Sequence, residues 1–565
     1  MRNIIVIESR STGKHFIGDI INRGYNPVVL HLKNADSERG KEYEDYVLSQ
    51  YETIPYDFDM VYEQDSFEET LEEVKKFDPL LIIAANERGV RLATKLSHEL
   101  GLLGNPIENL DAMTLKDEMQ KRLAENGLRY IRGKVVSSID EALEFYDGES
   151  LKEVVIKPVS GAGSTSVRIC INRDEMIESL EHLFNNVNQY GDKISKLLIQ
   201  ERIFGPEYIV NTVSHEGIPR VTTVWKYNKI RTSEDANFYD SIETVMELNI
   251  GESEMIEYAY KVADAIGVQY GPIHGEYVID DKGPVLIEVN CRPMGGDLPA
   301  EFLEQISGQH ETDSILDSYL KPRIFREDLK QKYHLFAHAT VKLFIAPKDM
   351  FVYLMPILNL ANKLKSFYSN TFMESTISNM LYKKTIDADS SAAVVFLVHK
   401  DKFEVDKNLN FLRSVEKNAY SINLNDNLSD IELKDDETYL NEVKPVINQA
   451  YVFTTCLFIT DQFINDLNLL QTDLKHIDDL KGTFDSIILN LNESLYEKSE
   501  ADKVDIILKV LLKVKTGGLI FISKNTYQLL YSGKKGVEAL IKLLDYKLEL
   551  PPYYINDFII ASKKQ

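Results

Sequence analysis

Cysteine is scarce in this chain. Its 565 residues hold three, Cys170, Cys291 and Cys456, far apart and with no CxxC pair. That excludes a disulfide framework or a zinc knuckle and leaves buried free thiols as the expectation. Long apolar runs are missing as well. The longest, such as AAVVFLV at 392–398, fall far short of the ~18 residues of a membrane helix. The opening MRNIIVIESRSTGKHF has neither the length nor the small-residue cleavage site of a signal peptide, so a cytoplasmic protein without membrane contact is expected. Positive charge is in deficit: 64 Lys and Arg against 89 Asp and Glu leave a formal charge of −25. A nucleic-acid or anionic-membrane footprint is thereby disfavoured, while a local basic pocket for a polyanion is not. No GxGxxG, GxSxG or HExxH occurs, so a dinucleotide fingerprint, a serine-hydrolase elbow and a zinc-protease helix have no support. Glycine itself vanishes between Gly308 and Gly482.

What remains is ordinary globular composition, 44% hydrophobic and 27% charged, with length for about three to five domains. NIIVIES, then a turn and an apolar-periodic stretch, then NPVVLHL, reads strand, helix, strand; DPLLIIAANERGVRLATKLSHELGL repeats the pattern. Residues 1–105 are therefore expected to form an α/β domain on a parallel sheet. Ser11-Thr12-Gly13 at its first turn admits an anion at a helix N-terminus, but a plain turn is the better reading. Residues 106–335 alternate short strands and helices (a lid over about 128–202), then longer strands: EYIVNTVSH, PRVTTVWKY, IHGEYVID and PVLIEVN. Glycine and proline between them suggest one antiparallel sheet. Residues 336–425 continue that core. An acidic, Asn-rich stretch at 423–442 reads as a linker, and 426–565 as a final α/β unit.

Four stretches carry chemistry. In VVIKPVSGAGSTSV a strand delivers Lys157 and a Gly-Ser-Thr loop follows, with Gly161 and Gly163 letting backbone N–H groups approach a ligand. This is not a Walker A sequence, and a surface turn fits it equally well. In GPVLIEVNCRPMGG, Glu288, Asn290 and Arg292 recur every second residue, so they share one strand face with Ile287 and Val289 on the other. In IHGEYVID the same rule aligns His274, Glu276 and Val278. A hairpin around 280–284 would bring Glu276 to Glu288. Two carboxylates at ~4 Å repel by roughly 4 kcal/mol at an intermediate dielectric, a penalty that a hard dication such as Mg²⁺ removes. Asn290 would add a neutral oxygen, and the planar fork of Arg292 a grip on phosphate or carboxylate. The alternative is a solvated strand face with a Glu–Arg pair. LLIQERIFGPEYIV offers an extended segment whose backbone can meet an adenine edge, with Glu201 or Glu207 for ribose hydroxyls, and Lys116 sits in TLKDEMQKRL.

In this order the stretches resemble the ATP-grasp superfamily over about residues 1–420. The resemblance implies a parallel α/β N-terminal domain, a lid and an antiparallel catalytic core. It implies that Lys116 and Lys157 contact ATP phosphates and that the loop with Ser160, Gly161, Gly163 and Ser164 closes over them. Gln200, Glu201, Ile203 and Glu207 would hold adenine and ribose. Glu276, Glu288 and Asn290 would hold Mg²⁺, with Mn²⁺ as substitute. Arg292, with Lys157, would be catalytic, facing an acyl phosphate, and the N–H groups of Gly295 and Gly296 would face the acyl oxygen. His274, Trp225 and Tyr239 would lie toward substrate, sheet packing being the alternative for Trp225 and Tyr239. VTTVWKYNK, FYDS and NCRPMGGDLP bring the chain nearest to carboxylate–amine ligases of the L-amino-acid ligase and dapdiamide-synthetase kind. These join a small carboxylic acid to an amine, as in dipeptides, with release of ADP and phosphate, and a homodimer is admissible. The other readings are an ATP-grasp ligase of another acceptor class, biotin-carboxylase-like or purine-pathway-like, and an inactive nucleotide-binding scaffold. The tail (426–565) resembles the second half of a class I methyltransferase. The glycine-free stretch before Gly482 supplies no S-adenosylmethionine loop, so a Rossmann-like, non-catalytic accessory domain is expected.

Overall fold

Asn3–Ile7 (β1) has the sequence NIIVI, and Ile4 through Ile7 are wholly buried. A strand apolar on both faces belongs inside a parallel sheet covered by helices. In the computed structural model it pairs in parallel with Asn26–His31 (β2) and Pro79–Ala84 (β4), and Asp59–Tyr62 (β3) extends β2, giving the order β3-β2-β1-β4. Ile4 and Val6 meet His15–Asn22 (α1) and Glu38–Glu52 (α2) through Phe16, Ile17, Ile20, Val47 and Tyr51. Ile5 and Ile7 face the opposite way, toward Val74 of Phe67–Lys75 (α3) and Val90, Ala93 and Leu96 of Gly89–Glu99 (α4). Leu110–Thr114 (α5) and Lys116–Glu125 (α6) extend that layer.

The structure describes residues 2–159, 167–188, 192–231, 237–328 and 332–345, parts of 350–419, and beyond 420 chiefly the strands of one further sheet. They form two compact units, residues 1–341 with 398–405, and residues 342–397 with 406–565.

Within the first unit a lid follows α6. Gly133–Val136 (β5), Val154–Pro158 (β6), Arg168–Cys170 (β7) and Leu197–Glu201 (β8) make an antiparallel sheet in the order β5-β8-β6-β7. Ile139–Gly148 (α7) and Arg173–Phe184 (α8) close over it on a core that includes Ile156, Cys170, Met176 and Leu180. Each helix starts on a capping side chain, Ser138 and Asn172, which accept N–H groups three residues on. The unit then adds Glu207–His215 (β9), Ile218–Arg231 (β10), Asn237–Thr244 (β11), Gly271–Asp280 (β12) and Gly283–Asn290 (β13), antiparallel in the order β13-β12-β9-β10-β11. Ile250–Ile266 (α9), started by an Asn249–Glu252 capping box, packs Met255, Ala259 and Val262 on its inner face. Ala300–Ser307 (α10) and Glu311–Leu320 (α11) follow; Ile315 and Leu316 of α11 join the α1 side of the N-terminal core.

In the second unit Phe367–Phe372 pairs antiparallel with Ala393–His399. Lys342, without exposed surface, is paired to Glu416 at 2.6 Å. Beyond the linker the strands 470–472, 456–460, 484–490 and 514–523 run parallel in that spatial order, and 558–562 then 553–555 complete the sheet, 558–562 antiparallel to its neighbours. The chain leaves its first strand to one side and returns to the other. That is the crossover pattern of a doubly wound, Rossmann-like sheet.

Candidate active site

The hairpin of β12 and β13 sets the site. Glu276 lies opposite Glu288, and His274 opposite Asn290. A register shift next to Glu276 inserts Ile287 as a bulge. This corrects simple alternation: Ile287 does not share a face with Val289. It packs with Ile131, Ile203, Val278 and Val285, whereas Val289 and Leu286 enter the main core. The bulge thereby sets an apolar patch beside the carboxylates and next to Ile203.

Lysines, rather than an empty gap, face the carboxylate pair. Lys116, the first residue of α6, stands 3.2 Å from Glu288 Oε2, and Lys157 of β6 stands 3.9 Å from the same oxygen. Both lysines are buried. Burial opposes the charge of each. At Lys116 the carboxylates of Glu288 and Glu87 outweigh burial and raise its pKa; at Lys157 burial prevails, with Lys116 adding to it, and the pKa is lowered. Glu276 accepts a hydrogen bond from Tyr227 Oη at 3.1 Å and has His274 Nε2 at 3.6 Å. Burial works against its ionisation, but His274, Lys229 and Tyr227 hold its carboxyl at about 2. Burial lowers the His274 pKa. The repulsion expected between the two carboxylates is thus already offset by protein cations and donors.

The other expected residues divide. Asn290 is buried, its Nδ2 3.4 Å from Glu288 Oε1. Arg292 is half-buried and donates to Pro293 O at 2.8 Å. Gly295 and Gly296 have open space where a Cβ would stand, and Gly296 has φ +91°. At the hinge, Glu207 is paired to Lys229 at 2.6 Å and Glu201 to Arg132 at 2.8 Å. Gln200 is buried, with no hydrogen-bond partner for Nε2 among the described residues. Trp225 lies opposite Ile209, in the cross-strand row of Glu276 and Glu288, but is 0% exposed. Its indole is sheet core with no surface to offer a substrate, which corrects its assignment to the substrate pocket. Tyr239 is half-buried against Tyr227, ring centroids 4.7 Å apart. Ser160, Gly161, Gly163 and Ser164 lie outside the described residues.

Five residues escaped the sequence reading. Tyr227 and Lys229 could have been found, since alternation along VWKYNK puts them on one face with Trp225. Glu87 lies in the turn after β4, at the C-terminal edge of the parallel sheet where ligands of such sheets collect. Its Oε2 is buried without a hydrogen bond, and burial, opposed by Arg292 and Lys116, pushes its carboxyl up to about 7. Asn211 and Glu311 carried no motif. The turn Ser11–Lys14 is also occupied. Ser11 Oγ and Thr12 Oγ1 accept the N–H groups of Asp297 and Leu298, and Lys14 pairs with Asp297 at 2.9 Å. It clasps the loop after Arg292 instead of an anion.

Residues 151–301 match the family model described as an ATP-grasp domain. The chain carries an ATP-grasp domain. Dapdiamide A synthase of Enterobacter agglomerans is 24% identical over 429 residues, 75% of this chain and 98% of that protein. Among solved structures, the L-amino acid ligase of Bacillus licheniformis superposes with a TM-score of 0.55 at 15% identity, covering 73% of this chain and 97% of the ligase. The carboxyaminoimidazole ribonucleotide synthase of Aspergillus clavatus, complexed with ATP, gives 0.53 at 12% identity, over 74% and 98%. The fold of the first unit is the ATP-grasp fold that these structures share. Among the described residues no helix is long and apolar enough to cross a membrane.

Proposed function

We propose that this ATP-grasp protein is an ATP-dependent carboxylate–amine ligase. It joins an amino acid or related small acid to an amine through an acyl phosphate, releasing ADP and phosphate. The observation that carries this reading is the in-register Glu276–Glu288 pair with Lys116 and Lys157 on Glu288, inside an ATP-grasp domain whose relative over 98% of its length is a dapdiamide synthase.

Lys116 and Lys157 form a cationic wall for the phosphates of ATP, and the apolar patch of Ile131, Ile203, Val278, Val285 and Ile287 suits the flat face of adenine. Glu207, at the start of β9, would take the ribose hydroxyls. Glu276, Glu288 and Asn290 would hold Mg²⁺. Among the described residues no three His, Cys, Asp or Glu side chains make a metal cage by themselves. Two carboxylates and an amide, completed by phosphate oxygens, are what Mg²⁺ prefers. When bound, the ion supplies neutralisation of the transferring phosphoryl group. A carboxylate oxygen of the acid attacks the γ-phosphorus and ADP leaves. The amine nitrogen then attacks the acyl carbon and phosphate leaves with the acyl-bound oxygen. Arg292 faces the oxygen that gains charge in this second step. The amine must lose a proton, and Glu87 is the enclosed carboxyl with a pKa suited to take it.

The tail reads as an accessory domain without catalysis. Residues 461–469 and 491–500, which follow its first and third strands in sequence, contain no glycine, so a close backbone approach to a cofactor is unsupported there. Small-molecule partners in the cytoplasm, without nucleic acid, accord with the charge of −25.

Incubation of the full chain with ATP, Mg²⁺ and a panel of acid–amine pairs tests the reading. ADP and phosphate release that requires both acid and amine is expected. AMP as the nucleotide product, or turnover indifferent to the amine, refutes it.

A further inference from the structure

A buried carboxylate without a role remains beside the site. Glu311, the first residue of α11, is 7% exposed. Its Oε2 accepts the N–H of Met294 at 2.6 Å, and its Oε1 accepts from Asn211 Nδ2 at 2.7 Å. Asn211 of β9 lies opposite His274 of β12 and opposite Thr223 of β10. Asn211 Oδ1 is 2.9 Å from His274 Nδ1, and Nδ2 is also 3.0 Å from Thr223 Oγ1. His274 in turn lies opposite Asn290, two residues from Glu276. One carboxylate therefore ties the loop that follows Arg292 to the strand row that carries His274 and Asn290. Burying such a group costs several kcal/mol unless donors satisfy it. Here both donors belong to the walls of the site.

We propose that Glu311 is a positioning residue of the ligase site, fixing the loop after Arg292 directly and the orientation of the His274 ring through Asn211. The proposal rests on the ligase reading. A carboxylate only accepts, so Asn211 must turn its amide nitrogen to Glu311. Its oxygen then faces His274, whose Nδ1 must donate to it. The direction of every bond in the row follows from the charge at position 311.

Exchanging the two side chains tests this. Glu311→Gln sets an amide NH₂ against the Asn211 NH₂; Asn211→Asp sets two carboxylates together; E311Q/N211D restores one donor to one acceptor with the bonds reversed. Each single variant is expected to raise KM for the acid and lower kcat, together 10- to 100-fold in kcat/KM, with KM for ATP within about twofold. The double variant is expected to recover most of that loss. A double variant no better than the two losses combined, a parallel rise in KM for ATP, or an unaffected E311Q overturns the proposal. If a single variant does not fold, a folded double variant supports the pairing, and an unfolded one contradicts it. Wild-type protein inactive on every acid–amine pair counts against the ligase reading instead. The same cycle read by denaturant unfolding then decides the pairing without activity, and an absent coupling there overturns it.

Discussion

At the scale of single residues, the site is an exercise in burying charge. Glu276 and Glu207 face Lys229, Glu288 faces Lys116 and Lys157, and Arg292 acts on Glu87. Glu87 is the least compensated, since one of its oxygens is enclosed without a donor. Its folded pKa, about 7, stands above the ordinary 4.5 of a glutamate carboxyl. The proton is therefore held more tightly by the folded chain. Full stability from this group exists below about pH 4.5 and is lost as pH rises to about 7. Glu87→Gln should consequently be more stable than wild type at pH 8, by at most about 3 kcal/mol, and indistinguishable at pH 4. Chemical denaturation at the two pH values measures this; an equal difference at both would remove the buried charge as the cause. The hairpin expected from IHGEYVID and GPVLIEVN made the approach of Glu276 to Glu288 legible, although their direct facing depends on the bulge at Ile287. The lysines above Glu288 were legible only through resemblance, because α6 and the lid strand meet the hairpin from far along the chain. Glu311 left no trace in sequence, since its partners are a backbone N–H and an asparagine 100 residues away.

At the scale of elements, the turn after β1 does more than reverse the chain. Glu8, wholly buried with φ +52°, binds Arg88 at 2.9 Å, and its carbonyl accepts from Asn86. The turn that carries Glu87 is thereby held. Three residues on, Ser11, Thr12 and Lys14 hold Asp297 and Leu298. The two turns meet at Gly13, where a Cβ would come within 2.7 Å of both Ala85 Cβ and Ala85 O. Backbone cannot yield as a side chain can. Gly13→Ala should cost about 1–3 kcal/mol, read as a lower denaturant midpoint at unchanged slope. A midpoint equal to wild type would show that the turns have room. The sequence pattern identified this element as strand, turn and helix and favoured a plain turn at Ser11–Gly13 over an anion site, without showing what the turn holds. Local pattern cannot show that a loop nearly 290 residues later arrives to take the hydroxyls.

At the scale of the whole molecule, an acidic protein gathers lysines at one site. Lys116 and Lys157 pair with Glu288, and Lys229 with Glu207, in a chain of net charge −25, which is how such a chain still offers a local basic pocket to a polyanion. The parallel sheet and the antiparallel core were legible from period and turn residues, since both faces of β1 are apolar and buried while Glu276, Glu288 and Asn290 interrupt the apolar runs of β12 and β13. The bulge at Ile287 was not, for nothing in an apolar strand marks the extra residue. Oxygen tracing tests the central claim most directly. With both carboxylate oxygens of the acid labelled by ¹⁸O, the enzyme, ATP and amine should yield inorganic phosphate carrying one ¹⁸O per turnover and an amide that keeps the other. Unlabelled phosphate, or label recovered in AMP, would contradict an acyl phosphate formed between these lysines and carboxylates.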